Sequence, residues 1–139
     1  IAGETTLSAA IWSLGTDVRT LAIRLDGDET LVVPMSAENL GIVLANLADN
    51  ARRHGARHLD IAALRDASGL TLRIADDGSG IAPANRGRIF EAFFTTRREE
   101  GGTGMGLAIA RALIERHGGT IVLDDPQPER GTAFRVRLP

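Results

Sequence analysis

Two glycine-rich segments constrain this chain more than any other feature of its sequence. DDGSG at 76–80 directly follows an apolar segment, and GGTGMG at 101–106 opens an apolar segment with helical spacing. Glycine allows a ligand to approach the backbone closely, and the first N–H groups of a helix favour phosphate. A carboxylate before two glycines, a glycine-rich loop before a helix, and paired amides upstream together indicate a nucleotide site with its metal.

Hydrophobic periodicity predicts the elements around these segments. Apolar residues at helical spacing predict helices near 5–19, between Ser36 and Gly55, and over 104–117. The predicted strands are 21–25, 31–33, 58–64, 70–75, 120–125 and 132–139. The turns predict that the first two strands form one hairpin and the last two another. We therefore predict a two-layer α/β sandwich, with one mixed sheet covered by helices on one face.

Composition and charge exclude several classes of protein. The net charge of −2 argues against a nucleic-acid-binding protein. No apolar run approaches the roughly 18 residues that span a bilayer, and the absence of cysteine excludes disulfides and thiolate metal sites. A length of 139 residues suits one domain. Because the first residue is Ile1 rather than methionine, we expect residues 1–139 to be a single domain from a longer polypeptide.

Four polar residues share one face of the helix that follows Ser36. Asn46 and Asn50 are one turn apart, and Arg53 and His54 continue the same stripe. Asparagine is a mediocre helix former, so the pair is either solvated, bonded to a neighbouring loop, or functional. In the functional interpretation an amide oxygen binds Mg²⁺, which prefers hard oxygen ligands and shares them with phosphates.

Each glycine-rich segment also has a plain structural interpretation. Asp76 at a strand end can accept a hydrogen bond from an exocyclic amine, which would select adenine over guanine, but DDGSG alone is also an ordinary turn. The segment at 101–106 lacks the lysine of a P-loop and follows no strand of a βαβ unit, so its alternative is a glycine hinge.

The segment between the two motifs, residues 82–103, suits a mobile lid over a nucleotide. Arg97 and Arg98 are candidates to reach phosphate oxygens from this lid. Its aromatic residues would either anchor the lid or belong to the core; they are Phe90, Phe93 and Phe94.

The ordered motifs NLADNARRH, DDGSGI, IFEAFFTT and GGTGMGLAIA resemble the N, G1, F and G2 boxes of the catalytic ATP-binding domain of bacterial two-component sensor histidine kinases. That domain belongs to the Bergerat-fold group, which includes gyrase, mismatch-repair and heat-shock chaperone ATPases. The resemblance covers the chain from about residue 30 to its end. It implies a Bergerat ATP-binding fold with a mobile ATP lid, ATP and Mg²⁺ as cofactors, and transfer of the γ-phosphoryl group to a histidine on a separate dimerisation domain.

The resemblance implies roles for individual residues. Asn50 matches the Mg²⁺-binding asparagine, Arg53 stands where a phosphate-contacting lysine is usual, and Asp76 matches the adenine-reading aspartate. The implied catalytic residues are Asn46, Asn50 and Arg53. The implied nucleotide-binding residues are Asn50, Arg53, His54, Asp76, Gly78, Gly80, Ile81, Arg97, Gly102, Thr103, Gly104, Met105, Gly106 and Leu107.

Asn46 occupies the position where hydrolytic members of the group carry a glutamate that activates water. An amide cannot act as a base, whereas phosphoryl transfer depends mainly on positioning and charge stabilisation. The residue therefore favours a phosphotransferase over an ATPase.

The acceptor histidine is expected outside this chain. In the family an acidic residue normally follows that histidine, and none follows His54, His58 or His117. The implied partners are the protein's own dimerisation and histidine-phosphotransfer domain and, through it, a response regulator, with no nucleic acid or membrane contact. We expect a monomeric fragment of a homodimeric parent, on the cytoplasmic side of an inner-membrane sensor.

Two alternatives remain open from the sequence. One is a serine kinase of the anti-sigma-factor type, and the other is a degenerate nucleotide-binding or partner-binding module without catalysis. The phenylalanine-rich start of the lid and the GGTGMGLAIA helix favour the histidine-kinase branch.

Overall fold

Helices and strands interleave along the chain in this computed structural model, which describes residues 4–12, 21–27, 31–92, 94, 105–124 and 131–139. The helices are α1 (Leu7–Trp12), α2 (Ala37–Arg53) and α3 (Gly106–Arg116), and a 3₁₀ turn spans Pro83–Asn85. The strands are β1 (Thr5–Thr6), β2 (Ala22–Asp26), β3 (Val32–Val33), β4 (His58–Asp66), β5 (Gly69–Asp76), β6 (Thr120–Leu123) and β7 (Ala133–Leu138).

Five strands form one mixed sheet in the order β2-β4-β5-β7-β6. β2 runs parallel to β4, and the other neighbours are antiparallel. Burial alternates along β4 and β7, so one face of the sheet is apolar and covered while the other is polar. α2 and α3 pack against each other and contribute to the same core, which confirms the mixed sheet covered by helices on one face.

α2 carries most of the residues predicted to be functional, and its ends are defined by capping. The Ser36 side chain accepts a hydrogen bond from the Asn39 N–H at 3.1 Å, as an N-cap residue does. Its buried stripe consists of Leu40, Val43, Leu44, Leu47, Ala48 and Ala51. The helix ends at Arg53, and Gly55 follows with φ of +79°, a value that favours glycine. This confirms the predicted helix between Ser36 and Gly55.

The predicted hairpin between 21–25 and 31–33 is wrong. β2 pairs in parallel with β4, from Ala22 opposite His58 to Asp26 opposite Ala62. β3 instead pairs with β1 in a separate two-stranded sheet. Alternation of apolar residues indicates a strand but not its partner, and a parallel partner lies beyond the next helix rather than across a turn.

The helix predicted near 5–19 is also partly wrong, because residues 5–6 form β1 and α1 begins at Leu7. Residues 13–20 lie outside the described part of the chain. α3 begins at Gly106 rather than 104, and residue 104 is not described. The closing hairpin of β6 and β7 is confirmed. No helix in the described ranges is both long and apolar enough to cross a membrane.

Candidate functional site

A cavity of about 610 Å³ lies between the last turns of α2, the segment that follows β5, and the start of α3. Its lining combines polar side chains from α2 with an apolar wall. The lining residues are Asn50, Arg53, His54, Ser79, Gly80, Ile81, Ala82, Pro83, Asn85, Ile89, Phe94 and Leu107. The predicted nucleotide residues Asn50, Arg53, His54, Gly80, Ile81 and Leu107 therefore surround one space.

Asn50 presents an unsatisfied polar group at this cavity. Its amide Nδ2 is buried and has no hydrogen-bond partner among the described residues. Rotation of the amide by half a turn exchanges its nitrogen and oxygen, so this position can offer either an N–H or a carbonyl oxygen to a ligand. An amide oxygen is a suitable ligand for Mg²⁺ that is also bound by phosphates. The residue therefore fits the metal that its motif implies.

Beyond Asn50, the described residues hold no group of three or more histidine, cysteine, aspartate or glutamate side chains that could bind a metal ion. A single amide ligand is weak by itself. Mg²⁺ commonly takes one or two protein ligands and completes its shell with phosphate oxygens and water. The donor set thus suits a metal that arrives with a phosphorylated ligand.

Arg53 lies at the polar side of the cavity and is held there by a carboxylate. Its Nε donates to Asp49 Oδ2 at 2.7 Å, and Arg52 Nη2 donates to Asp49 Oδ1 at 2.7 Å. Burial of Asp49 opposes its ionisation, but the hydrogen bonds from Arg53 and Arg52 outweigh burial and lower the pKa of Asp49. Asp49 therefore stays ionised and keeps both arginines paired.

The segment after β5 is bonded directly to the end of α2. Ser79 N–H donates to the His54 carbonyl at 2.8 Å. A Cβ on Gly78 would lie 2.7 Å from that same carbonyl oxygen, which is closer than such atoms approach. Glycine at 78 thus permits the contact, and the contact places Ser79, Gly80 and Ile81 opposite the polar face of α2.

Asp76 ends β5, as predicted, and its carboxylate is fixed by backbone groups. Oδ1 accepts from Gly78 N–H at 2.8 Å and from Thr132 N–H at 3.3 Å. Burial raises the pKa of Asp76, although these hydrogen bonds act in the opposite direction. Asp76 is not among the cavity-lining residues. It lies three residues before the lining residues 79–81 and is half-buried, with Oδ1 bonded to two backbone N–H groups.

The second aspartate of the motif, Asp77, faces a different neighbour. Its Oδ1 accepts from Arg57 N–H at 2.8 Å and His58 N–H at 3.0 Å, and its Oδ2 lies 2.7 Å from His58 Nδ1. The backbone bond from His58 and the side-chain bond from His58 hold the pKa of Asp77 well below its usual range. Asp77 therefore ties the end of β5 to the start of β4 and, like Asp76, is not among the lining residues.

The start of α3 contributes Leu107 to the cavity, while Gly106 contacts α2. A Cβ on Gly106 would lie 3.1 Å from Asn46 Oδ1, and Asn46 Nδ2 donates to the Ile42 carbonyl at 3.0 Å. Asn46 thus lies at the contact between the two helices and is not among the lining residues. Met105 directly precedes Gly106 as the N-cap of α3.

Part of the predicted site lies outside the described residues. Arg97, Gly102, Thr103 and Gly104 belong to this part, as do Arg98 and Phe93. Of the other aromatic residues, Phe94 lines the cavity with the Arg88 guanidinium carbon 4.5 Å from its ring centre. Phe90 packs against Phe134 with ring centres 6.0 Å apart, which favours the core interpretation for this residue.

Sequence reasoning missed several residues around the cavity. Of the apolar wall, Ala82 and Pro83 belong to no recognised motif, and Ile89 opens the IFEAFFTT motif but was assigned no contact with a nucleotide. Thr132 was missed because only the pairing of β5 with β7 brings it beside Asp76, where Asp76 N–H donates to the Thr132 carbonyl at 2.9 Å. The Thr132 hydroxyl is buried and has no hydrogen-bond partner among the described residues, so a ligand or water would satisfy it.

Comparison with known proteins gives matches that all include histidine kinases. A family described as histidine kinase-, DNA gyrase B-, and HSP90-like ATPase matches residues 35–139. The alginate biosynthesis sensor protein KinB of Pseudomonas aeruginosa is 32% identical over 126 residues, which cover 88% of this chain. The structure of the mycobacterial sensor histidine kinase MprB superposes with a TM-score of 0.83 at 27% identity, covering 99% of this chain and 97% of that one.

A further solved structure contains a nucleotide analogue. Full-length ShkA in complex with AMPPNP superposes with a TM-score of 0.73 at 26% identity, covering 100% of this chain and 31% of ShkA. The curated relatives are much longer than this chain, which spans 21% of the length of KinB.

Proposed function

Because the chain belongs to the family of histidine kinase-, DNA gyrase B- and HSP90-like ATPases, we propose that it is the ATP-binding catalytic domain, residues 1–139, of a two-component sensor histidine kinase. It binds Mg–ATP and supplies the γ-phosphoryl group to a histidine on a separate dimerisation domain. The observation that carries this proposal is the convergence of Asn50, Arg53 and His54 on one cavity with Gly80 and Ile81 opposite them.

Adenine binds at the end of the cavity near Asp76. The carboxylate already accepts backbone N–H groups at Oδ1, so Oδ2 is the oxygen that accepts from the exocyclic amine of adenine. Guanine presents a carbonyl at that position, which would oppose a carboxylate. The buried Thr132 hydroxyl supplies a second polar group, and apolar residues such as Ile81 pack against the base.

The phosphates bind at the other end, beside the last turns of α2. Asn50 holds Mg²⁺ there, and Arg53 contributes positive charge. When bound, the metal neutralises charge on the phosphate oxygens. The N–H groups of Gly102, Gly104 and Gly106, with Thr103 and Met105 between them, would contact phosphate at the start of α3. Arg97 would approach from the lid.

The chemistry that these residues support is transfer rather than hydrolysis. The acceptor imidazole nitrogen attacks the γ-phosphorus, a P–N bond forms, and the bond to the bridging oxygen breaks so that ADP leaves with its electron pair. The chain's contribution is positioning and charge stabilisation. Asn46 cannot deprotonate water, and its Nδ2 already donates to the Ile42 carbonyl.

The whole protein would supply what this domain lacks. Its acceptor histidine lies on a dimerisation and histidine-phosphotransfer domain, and the phosphoryl group then passes to a response regulator. An ATP-dependent domain of this kind works on the cytoplasmic side of a membrane sensor, where nucleotide is available. The chain is a monomer and the parent a homodimer in this proposal.

Calorimetric titration with a non-hydrolysable ATP analogue tests the first part of the proposal. We expect binding that requires Mg²⁺ and that is much weaker for the GTP equivalent; equal affinity for both would contradict the adenine assignment. The second part is tested by adding a dimerisation domain with its acceptor histidine and radiolabelled ATP. Acid-labile, alkali-stable label on that histidine supports a histidine kinase, whereas label on serine, or none, contradicts it.

A further inference from the structure

Asp49 belongs to none of the implied functional positions, yet it contacts the residue expected to meet phosphate. Its carboxylate bonds Arg53 Nε at 2.7 Å through Oδ2 and Arg52 Nη2 at 2.7 Å through Oδ1. Asp49 itself does not line the cavity, whereas Arg53 does. The Arg53 side chain is 22% exposed, against 38% for Arg52. The Asp49 carboxylate thus connects Arg53, which lines the cavity, with Arg52, which is more exposed.

The bond to Nε determines how the Arg53 guanidinium is presented. A guanidinium is planar and carries five N–H donors, of which the one on Nε is closest to the backbone. A short bond there orients the plane of the whole group. Asp49 Oδ2 lies 2.7 Å from this Nε, so the carboxylate and the guanidinium form an ion pair at the point where the plane of the group is fixed. Arg53 therefore reaches the cavity with less rotational freedom than a solvated arginine would have.

Arg52 supplies a second positive charge, so Asp49 can orient Arg53 without neutralising the end of α2. A carboxylate paired only with Arg53 would neutralise the cation that a phosphate needs. Here one carboxylate is shared by two guanidiniums, so the group of Asp49, Arg52 and Arg53 keeps a net charge of +1. The arrangement orients Arg53 and leaves the end of α2 positive beside Asn50.

We propose that Asp49 is a positioning residue that holds the Arg53 guanidinium in place for the phosphate groups of a nucleotide. This inference rests on the proposed ATP-binding function, because Arg53 needs orientation only if it meets a phosphate. A different role would be purely structural: pairs at i,i+3 and i,i+4 stabilise an isolated helix slightly. If Asp49 positions Arg53, substituting Asp49 should lower ligand affinity only when Arg53 is present and the ligand carries phosphates. If Asp49 is only structural, the effect should not depend on either.

A double-mutant cycle of Asp49 and Arg53 distinguishes the positioning role of Asp49 from a purely structural one. The variants are Asp49→Asn, Arg53→Ala and the double variant, each titrated calorimetrically with the ATP analogue plus Mg²⁺ and with adenosine. We expect Asp49→Asn to weaken binding of the ATP analogue by about three- to tenfold while leaving adenosine binding unchanged. In the Arg53→Ala background the same substitution should have no further effect.

Asp60→Asn is the matched control, because Asp60 is an exposed carboxylate on β4 whose nearest oxygen lies 3.8 Å from Arg24 Nε. It should leave both titrations unchanged. Equal losses from Asp49→Asn with and without Arg53, or an equal loss for adenosine, would overturn the inference and leave only the structural role. Failure of the unmodified chain to bind the ATP analogue would instead contradict the proposed function itself.

Discussion

Asp76 ends β5 and Asp49 lies on α2; neither carboxylate lines the cavity, and the two are held in different ways. Asp76 is bonded to the backbone N–H groups of Gly78 and Thr132. Asp49 is bonded to the side chains of Arg52 and Arg53. We call these regions the strand end (residues 76–80 and 131–132) and the helix end (residues 49–54).

This contrast indicates which substitutions change ligand binding and which change the stability of the fold. At the strand end the main chains lie so close together that a side chain does not fit at Gly78 or Gly131: an added Cβ would overlap the His54 carbonyl at the first position and the Asp76 carbonyl at the second. At the helix end the geometry depends on side chains that extend from a well-capped helix. Replacing a glycine at the strand end should therefore destabilise the fold, whereas replacing a side chain that is proposed to act on the ligand, such as that of Asp76 or Asn50, should change ligand binding.

The largest effect is expected from Gly131→Ala. Gly131 has φ of +121°, and an added Cβ would overlap the Asp76 carbonyl oxygen. Both strain and overlap oppose the folded state, so we expect a loss of about 3 kcal/mol or more in the free energy of unfolding. Urea denaturation measures this loss. Gly87→Ala is the control, because nothing lies within 4 Å of its added Cβ. Similar losses of stability in both variants would contradict the view that close packing of the main chains requires glycine at 131.

The next largest effect is expected from Asp76→Asn, measured as affinity for the ATP analogue. Asparagine keeps an oxygen for the backbone N–H groups but replaces the second oxygen with an N–H₂ group, which cannot accept from adenine. We expect a loss of about 1–3 kcal/mol in binding with little change in stability. Asp77→Asn, one residue later, should leave the affinity for the analogue unchanged. Unchanged affinity in Asp76→Asn would contradict the adenine assignment.

At the helix end, Asn50→Ala should mainly change the response to Mg²⁺. The variant lacks the proposed metal ligand, so the gain in affinity that Mg²⁺ gives to the unmodified chain should fall by about tenfold. Titrations with and without Mg²⁺ measure that gain. Because Nδ2 has no partner among the described residues, its removal should not lower stability much. An unaltered metal response would exclude Asn50 as the ligand.

The smallest expected effect is on the pH dependence of the free energy of unfolding, to which Asp76 and Asp49 should contribute with opposite sign. Burial raises the pKa of Asp76 above its ordinary value of 3.8, so its contribution to stability is present below 3.8 and is lost as pH rises through the raised pKa. Burial acts to raise the pKa of Asp49, but the hydrogen bonds and positive charges of Arg53 and Arg52 together lower it, so the contribution of Asp49 to stability is present above 3.8 and is lost as pH falls through the lowered pKa.

Urea midpoints measured from acid to neutral pH test this contrast. Asp76→Asn should lose less stability than the unmodified chain as pH rises, and Asp49→Asn should lose less as pH falls. If both variants changed the pH dependence of stability in the same direction, the strand end and the helix end would not differ in the way described.

The sequence predicted best what depends on local pattern. The apolar stripe of α2, its Ser36 cap and the position of Asp76 at a strand end were all predicted, because each depends on neighbours within a few residues. The family, and with it the fold class, followed from the order of four motifs and agrees with the matched family.

What the sequence could not predict depends on pairing between distant segments. The parallel partner of β2 is β4, and the residue beside Asp76 is Thr132; both follow only from strand register. Asp49 lies within the NLADNARRH motif but the resemblance assigns it no role, and an aspartate among arginines is ordinary on a solvated helix face. The roles assigned to Gly102, Thr103, Gly104 and Arg97 stay predictions, because those residues lie outside the described ranges.

The place of β7 in the sheet has a consequence for synthesis on the ribosome. β7 follows every other described element in sequence, yet it lies between β5 and β6. Until Ala133–Leu138 has emerged, β5 has an unpaired edge, and Asp76 lacks the Thr132 groups that hold it. A nascent chain that ends before this strand would therefore lack the contacts that hold Asp76 in the proposed adenine site, so on that proposal nucleotide cannot assist folding until β7 has been translated.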